Sequence, residues 1–190
     1  MRVISGSFRG KKILEPKDIK TRPLKDLTKE SIFNIINHSK KLKINLENSC
    51  ILDLFSGVGS FGIECLSRGV RKVFFIENYA GVLPILKKNL ESLKSINNYE
   101  IIEKDIYESE ILLKIDIKFD IIFLDPPYKD KNLDKLLINI NIGKILNKSS
   151  IIIIHRHKSE EDILPNNFKI VEEKKYGISN LPNLLSIKNY

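Results

Sequence analysis

One tetrapeptide, Asp125-Pro126-Pro127-Tyr128, has the residue types needed to hold a planar amino group. It follows the apolar run 119–124, which predicts a central strand covered on both faces. Proline cannot continue a strand's hydrogen-bond ladder, so we expect the tetrapeptide where the strand opens into a cleft, the usual ligand position in open α/β sheets. There a carboxylate can accept hydrogen bonds from an amine, and an aromatic ring can stack on a flat base. Pro-Pro alone would also fit a simple strand end.

A glycine-rich turn indicates a ligand site of its own. The segment Ser56-Gly57-Val58-Gly59-Ser60-Phe61-Gly62 follows a short apolar run and precedes an amphipathic stretch, the order strand, turn, helix. Glu77 ends the next apolar run about 20 residues on. A dinucleotide pyrophosphate would suit the helix N-terminus, but the carboxylate of Asp53 beside the turn would repel it. This chemistry favours the cationic S-adenosylmethionine (SAM) over NAD, and an NAD-dependent dehydrogenase is the alternative.

The elements that position these two motifs are predicted by an alternation of strand-like and helical segments along the chain. Apolar runs recur at 51–55, 73–76, 100–103, 119–124, 150–154, 168–172 and 184–188. Leucines at helical spacing in 80–93 and 133–140 predict helices between them. The last two runs are separated by a loop too short for a helical crossover, which indicates an antiparallel pair. The pattern predicts a Rossmann-like α/β fold: a doubly wound, mostly parallel, seven-stranded sheet with an antiparallel last strand, as in class I methyltransferases.

An N-terminal extension precedes this core. Val3-Ile4-Ser5 and Lys12-Ile13-Leu14 predict a β-hairpin with a basic, flexible tip. A helix is expected from about Asp26 through Ile36, with Leu27, Ile32, Ile35 and Ile36 as packing positions. We predict one domain over 1–190, in which 1–25 form the hairpin extension and 26–190 the helix and catalytic core.

Charge is concentrated at the N-terminus. The net charge is +8, and residues 1–50 contribute +7 of it, with 12 basic and 5 acidic side chains. Such a segment predicts a polyanionic partner, most plausibly nucleic acid, although a solvated basic face is the alternative in a lysine-rich chain. We predict that Arg9, Lys11, Lys12 and Arg22 hold RNA phosphates. No apolar run approaches the length of a membrane span and the first residues lack a signal peptide's apolar region, so a cytoplasmic protein is expected.

Taken together, the motifs resemble the bacterial RsmD-like family of 16S ribosomal RNA guanine-N2 methyltransferases. The segments that carry the resemblance are Gly6-Ser7-Phe8-Arg9-Gly10, Thr21-Arg22-Pro23, Asp26, Glu30, Phe33, Asn34, Leu52 to Gly59, Gly62, Leu66-Ser67-Arg68-Gly69 and the Asp-Pro-Pro-Tyr tetrapeptide. The resemblance implies a SAM-dependent enzyme that acts on a guanine of small-subunit RNA. The chain departs from the family at Leu27, where a basic residue is usual, at Lys29, where arginine is common, and at His155, where an acidic residue is expected.

Each site residue has a predicted role. The amino group would donate to the Asp125 carboxylate and the Pro126 carbonyl, which favours a pyramidal nitrogen, while Tyr128 would stack on the extruded base. Asp53 and the Gly57 and Gly59 backbone are assigned to the methionine end, Glu77 to the ribose, and Asp105 with Ile106 to the adenine by resemblance. The full cofactor-binding set is Asp53, Phe55, Ser56, Gly57, Gly59, Glu77, Asn78, Asp105 and Ile106; the catalytic set is Asp125, Pro126, Pro127 and Tyr128.

Two further functions fit parts of the pattern. A DNA amino-methyltransferase, acting on adenine N6 or cytosine N4, would share the tetrapeptide and the glycine turn. A non-catalytic RNA-binding assembly factor would share the basic segment but would not need Asp125 and Tyr128. His155 and His157 without a third ligand do not predict a metal site. We expect a monomer whose partner is ribosomal RNA, free or in an assembling subunit.

Overall fold

The structure, a computed structural model of the chain, describes residues 1–16, 24–108, 110–127, 130–156, 164–174 and 183–189. The helices are α1 (Asp26–His38), α2 (Ser60–Ser67), α3 (Leu83–Glu91), α4 (Ile111–Lys114) and α5 (Leu133–Ile142). The strands are β1 (Cys50–Leu54), β2 (Lys72–Ile76), β3 (Tyr99–Ile102), β4 (Phe119–Leu124), β5 (Leu146–Arg156), β6 (Phe168–Lys174) and β7 (Asn183–Asn189). Every predicted strand is present, and β5 extends beyond the predicted 150–154 at both ends.

The strands form one sheet in the order β3-β2-β1-β4-β5-β7-β6. Strands β1 to β5 are mutually parallel, and β7 lies antiparallel between β5 and β6. The predicted fold is therefore confirmed, including the antiparallel last strand. The order reverses between β1 and β4, and in open α/β sheets the carboxyl ends of strands at such a point border the ligand crevice.

Helices cover both faces of the sheet because alternate strand residues point to opposite sides. In β4, Ile121 and Phe123 belong to one apolar cluster with residues of α1, α2 and α3. Ile122 and Leu124 belong to a second cluster with residues of α4 and α5. This two-sided burial explains why the strands are nearly continuous apolar runs.

The N-terminal hairpin is only partly as predicted. Its one bridge pairs Arg2 with Lys12, and the Val3 N–H donates to the Lys11 carbonyl. The prediction of a flexible tip is wrong: the Ser7 N–H donates to the Ser67 carbonyl at 2.7 Å, at the end of α2. A Cβ on Gly6 would lie 1.9 Å from that carbonyl oxygen, so glycine permits the close approach.

Helix α1 begins at the predicted Asp26 and ends two residues beyond the predicted Ile36, but Leu27 is not a packing residue. Its side chain is 62% exposed, whereas Ile32, Ile35 and Ile36 are buried. At about 100° per residue Leu27 lies about 140° around the helix from Ile32, which places it on the solvent face. The helix pattern alone did not fix the centre of the buried face.

Lys29, one of the two α1 departures from the family pattern, has a structural role. Its side chain is fully buried, and its Nζ donates to the Arg2 carbonyl at 2.5 Å and lies 3.9 Å from the Glu64 carboxylate. Burial lowers the pKa of Lys29, while the charges of Glu64 and Asp26 oppose that shift. Glu64 also accepts from the backbone N–H groups of Ile4 and Ser5, so these buried charges join the hairpin to α1 and α2. Among the described residues, no helix combines the length and apolarity that crossing a bilayer requires.

Candidate active site

The carboxyl edge of the sheet gathers three acidic side chains from three adjacent strands. Asp53 lies in β1, Glu77 directly follows β2, and Asp125 directly follows β4. The parallel registers place β1 between β2 and β4, so the three carboxylates converge on one crevice. Both predicted motifs thus meet at the predicted position.

The glycine turn joins β1 to α2 in a conformation that depends on two glycines. Gly57 and Gly59 have φ values of +55° and +83°, a region that side chains disfavour. A Cβ on Gly59 would also lie 2.6 Å from Leu86 of α3. The turn therefore packs closely against α3.

Asp53 is buried, with 1% exposure, and its Oδ2 accepts from the Gly62 N–H at 3.0 Å. Burial raises the pKa of Asp53 well above its usual range; the Gly62 hydrogen bond opposes the shift, and the charges of Asp125 and Glu77 add to it. A cation beside these three carboxylates would relieve their mutual repulsion, whereas a pyrophosphate would increase it. The residues present therefore fit a cationic cofactor.

Glu77 connects the end of β2 to the glycine turn. Its Oε2 accepts from the Gly57 N–H at 2.7 Å, and its Oε1 accepts from the Asn78 and Tyr79 N–H groups at 2.9 and 2.8 Å. A carboxylate offers about four acceptor positions, so one is left for a ribose hydroxyl. The predicted ribose ligand thus also shapes the turn, a role that the sequence did not indicate.

Three other residues predicted to bind the cofactor differ in how free their side chains are to contact it. The Ser56 hydroxyl lies 2.6 Å from the Asp53 carbonyl and 3.1 Å from that of Ile76, so it holds the turn from inside. Phe55 has a φ of +57°, and its ring lies 5.9 Å from that of Tyr107. Asn78 is exposed beside Glu77. Direct binding by the Ser56 side chain is therefore the least supported of these predictions.

The residues predicted to bind adenine follow β3. Asp105 is half-buried, and its Oδ1 accepts from the Tyr107 N–H at 2.9 Å. Ile106 is 3% exposed and packs within the second apolar cluster. The Tyr107 hydroxyl donates to Asp130 at 2.6 Å, which links this region to the segment after the tetrapeptide. Burial and this hydrogen bond raise the pKa of Tyr107, so it stays a neutral donor.

Asp125 is fixed by a neighbour that the sequence analysis did not assign to the site. Its Oδ1 lies 2.7 Å from Nδ1 of His155, on β5. The next residue, Arg156, donates through Nη2 to the Asp130 carbonyl at 2.9 Å. Pro126 is buried, whereas the exposed Pro127 accepts at its carbonyl from the Asp130 N–H. Tyr128, the predicted stacking residue, lies outside the described residues, as does His157.

Asn89 of α3 is another residue that sequence reasoning missed. It is 3% exposed; its amide group donates to the carbonyls of Leu14 and Val58 and accepts from the Leu14 N–H. It therefore joins the N-terminal segment to the glycine turn. A polar residue between the apolar positions Leu86 and Leu90 was the only available signal.

Three of the four predicted RNA-binding residues, Arg9, Lys11 and Lys12, lie along the hairpin. The hairpin follows α2 from one end to the other: Met1 contacts Ser60 at the start of the helix, and Ser7 at the hairpin tip contacts Ser67 at its end. An eight-residue helix is about 12 Å long, so these two contacts lie about that far apart. Arg9 is exposed at the tip and Lys12 is exposed nearer the open end. The Lys11 Nζ donates to the Ser92 carbonyl at 2.5 Å, which reduces its availability for phosphate. Arg22 lies outside the described residues.

Solved structures with this architecture identify the class. The structure of yhhF from Escherichia coli has a TM-score of 0.81 and 25% identity, and the match covers 100% of this chain and 97% of that one. The structure of SMU.776 complexed with SAH has the same fold, with a TM-score of 0.65 and 14% identity over 85% of this chain and 49% of that one. The fold and site define a class I methyltransferase. Its methyl donor is SAM, so the predicted cofactor is confirmed.

The family follows from the sequence comparisons. Residues 1–184 match the family model described as Conserved hypothetical protein 95. Ribosomal RNA small subunit methyltransferase D of Haemophilus influenzae is 32% identical, over 94% of this chain and 90% of that protein. The protein of the same name from Buchnera aphidicola subsp. Acyrthosiphon pisum is 34% identical, over 90% of this chain and 86% of that protein. The chain belongs to this family, the RsmD family, which confirms the resemblance.

Proposed function

We propose that the chain transfers a methyl group from SAM to the exocyclic N2 amine of a guanine in small-subunit (16S) ribosomal RNA. The observation that carries the proposal is the position of Asp125: its carboxylate stands at the end of β4, beside the acidic crevice of Asp53 and Glu77. The names of the relatives support ribosomal RNA as the substrate. The family resemblance supports guanine N2 as the acceptor.

On the substrate side, the chain offers two acceptors for one amino group. Asp125 Oδ1 is engaged by His155, and Oδ2 has no hydrogen-bond partner among the described residues. Within the same part of the chain, the Pro127 carbonyl is occupied and that of Pro126 is not. The two N–H groups of an amine can therefore donate to Asp125 Oδ2 and the Pro126 carbonyl, which exposes the nitrogen lone pair. The proton released on methylation passes to Asp125 or water.

On the cofactor side, SAM supplies an electrophilic methyl group when bound. We assign Asp53 and the Gly57 and Gly59 backbone to its methionine end, Glu77 to its ribose and Asp105 to its adenine. Phe55, Asn78 and Ile106 complete the predicted contacts, and Tyr128 is assigned to stacking on the flipped guanine. The backbone of the turn needs the two glycines to approach a ligand closely.

A methyl-transfer assay tests the proposed function. Purified protein and labelled SAM are incubated with naked 16S RNA, with small subunits lacking the modification, and with DNA, and the methylated base is mapped. We expect N2-methylguanine in one of the two RNA substrates and no label in DNA. Asp125→Ala should reduce turnover by at least about 100-fold while leaving SAM affinity within about threefold, because Asp125 acts on the amine.

Three results would contradict the proposal. Label in DNA at adenine N6 or cytosine N4 would support the DNA amino-methyltransferase. SAM binding without transfer to any nucleic acid would support a non-catalytic assembly factor. Full activity of Asp125→Ala would remove Asp125 from the reaction. Size measurement of the active species tests the accompanying proposal that the protein acts as a monomer.

A further inference from the structure

His155 lies beside Asp125 because β4 and β5 are parallel neighbours. Leu124 pairs with Ile154 in the register, so the residues that follow them are adjacent at the carboxyl edge of the sheet. Their side chains meet at 2.7 Å, between His155 Nδ1 and Asp125 Oδ1, with 8% and 23% exposure. The other ring nitrogen, Nε2, is buried and has no partner within the described chain. Asp125 is therefore the ring's only hydrogen-bond partner there.

This geometry assigns the proton to one ring nitrogen. An ionised carboxylate can only accept, so Nδ1 must be the donor when Asp125 is charged. Nε2 then holds a bare lone pair, since a proton there would add a buried donor without a partner. The ring is thus held in the Nδ1–H tautomer, which is the arrangement needed to hold Asp125 Oδ1 in place.

Two consecutive residues at the end of β5 hold the segment 125–130, which follows β4, at its first and last residues. His155 holds Asp125, and Arg156 donates to the Asp130 carbonyl five residues further on. Rotation about the last side-chain bond of an aspartate is soft and nearly two-fold. Without the histidine donor, the plane of the Asp125 carboxylate could rotate so that neither oxygen points at the substrate amine.

We propose that His155 is a positioning residue for methyl transfer: by donating to Asp125 Oδ1 it keeps Oδ2 directed at the substrate amine. This inference rests on the proposed function, because it assumes that Asp125 accepts from that amine. His155 acts through Asp125 and touches neither cofactor nor substrate. Its removal should therefore lower kcat and leave the RNA KM and the SAM Kd nearly unchanged.

Three substitutions separate this role from simple packing. In His155→Asn the side-chain amide nitrogen can occupy the Nδ1 position, whereas in His155→Gln the amide reaches the Nε2 position, and His155→Leu has no donor. We expect His155→Leu and His155→Gln to lower kcat about 100-fold, as misplaced catalytic groups do, and His155→Asn to stay within about fivefold of the wild type. His38→Leu, at the exposed end of α1, is the matched control and should be unchanged. Equal losses in all three variants, or no loss in His155→Leu, would overturn the proposal.

A double mutant tests whether His155 acts through Asp125. In an Asp125→Asn background, which keeps a residual acceptor, His155→Leu should reduce kcat by less than about threefold further. An additional loss of about 100-fold would show that His155 acts independently and would overturn the proposal.

Nitrogen NMR of the histidine rings gives a readout that needs no activity. We expect the Nδ1–H signature at His155 in the wild type and its loss in Asp125→Ala; an Nε2–H signature in the wild type would overturn the inference. A wild-type protein that methylates no RNA would instead refute the proposed function, while the NMR result would still decide the Asp125–His155 hydrogen bond. The two failures are therefore distinguishable.

Discussion

Asp53 lies where its negative charge destabilises the folded protein but would attract a bound cation. Its carboxylate is buried beside two other acids, and the Gly62 backbone N–H donates to it. Burial raises its pKa, so the ionised form is costly in the folded protein without a ligand. A site built for a positive charge is in this way less stable when that charge is missing.

Replacing Asp53 by asparagine should therefore stabilise the protein at neutral pH. Below about pH 4 the carboxyl is protonated in both folded and unfolded chains, so its charge costs nothing there. As pH rises, the unfolded chain loses the proton first, and the wild type loses stability until the raised folded-state pKa is passed. Urea unfolding at about pH 7.5 should show a gain on the order of 1 kcal/mol for Asp53→Asn, shrinking toward about pH 4.

The same variant should bind SAM at least about tenfold more weakly, because charge-assisted hydrogen bonds contribute about 1.5–3 kcal/mol. Calorimetry measures this loss. A variant that is less stable than the wild type at neutral pH would show that the charged form benefits folding, contrary to this interpretation.

For individual residues, the acidic side chains of the site could be predicted from the sequence, but their hydrogen-bond partners could not. Glu77 and Asp125 could be predicted because each directly follows an apolar run, and Asp53 because it interrupts such a run next to the glycine turn; these positions meet at the carboxyl edge of a parallel sheet. The contacts of Glu77 with three backbone N–H groups, and of His155 with Asp125, depend on which strands are neighbours and in what register. Asn89 contacts Leu14, 75 positions away, and no local pattern encodes that pair.

Among the elements, α2 packs on the sheet through a glycine. A Cβ on Gly62 would lie 2.2 Å from the Phe75 ring of β2. The aromatic ring fills the space that a side chain on the helix would need. Gly62 is therefore a packing requirement, separate from the positive φ angles of Gly57 and Gly59.

Gly62→Ala should destabilise the protein by about 1–3 kcal/mol, the usual range for overpacking a core. For a chain of this size that is a fall in Tm of about 2–4 °C per kcal/mol, measurable by thermal unfolding. Phe75→Leu in the same chain should recover part of the loss, because it shortens the opposing side chain.

Gly69→Ala is the matched control. Its φ is +82°, but nothing lies within 4 Å of its Cβ position, so its cost should come from the backbone and be about 1–2 kcal/mol. Phe75→Leu should not reduce that cost. A similar recovery in both pairs would argue against the Gly62–Phe75 contact as the cause.

Element boundaries were predictable where the apolar pattern is strong, as in β4, whose bounds match the prediction. The exposure of Leu27 and the packing of the hairpin tip could not be predicted from the sequence, because both depend on how α1 and α2 pack against each other. The buried ion pair between Lys29 and Glu64 joins the two helices. A lysine in the sequence gives no sign that it will be buried.

The molecule as a whole presents its N-terminal charge on a folded surface. The hairpin contributes the buried residues Val3 and Ile13 to the first cluster, so deleting it would remove core along with charge. A truncation would therefore not isolate RNA binding. Substitution of exposed basic side chains is the cleaner experiment.

We predict that Arg9→Gln with Lys12→Gln weakens RNA binding and reduces its salt dependence. Removing one interaction with a phosphate should lower the slope of log K against log salt by about 0.7–0.9, because fewer counterions are released. Binding titrations from low to high salt measure the slope. Lys118→Gln with Lys148→Gln, exposed directly before β4 and near the start of β5, is the control with the same charge change. Equal slopes in the two double variants would refute an RNA-binding role for the hairpin.

The hydrogen bonds between Leu14 and Asn89 have a consequence for biosynthesis. During synthesis Leu14 finds Asn89 only after 75 more residues have been added, about 4–15 s later at the usual rates of translation. Until then the N-terminal segment lacks the contact through which Asn89 joins it to the glycine turn. During this interval the segment around Leu14 is exposed on the nascent chain and can be bound by chaperones.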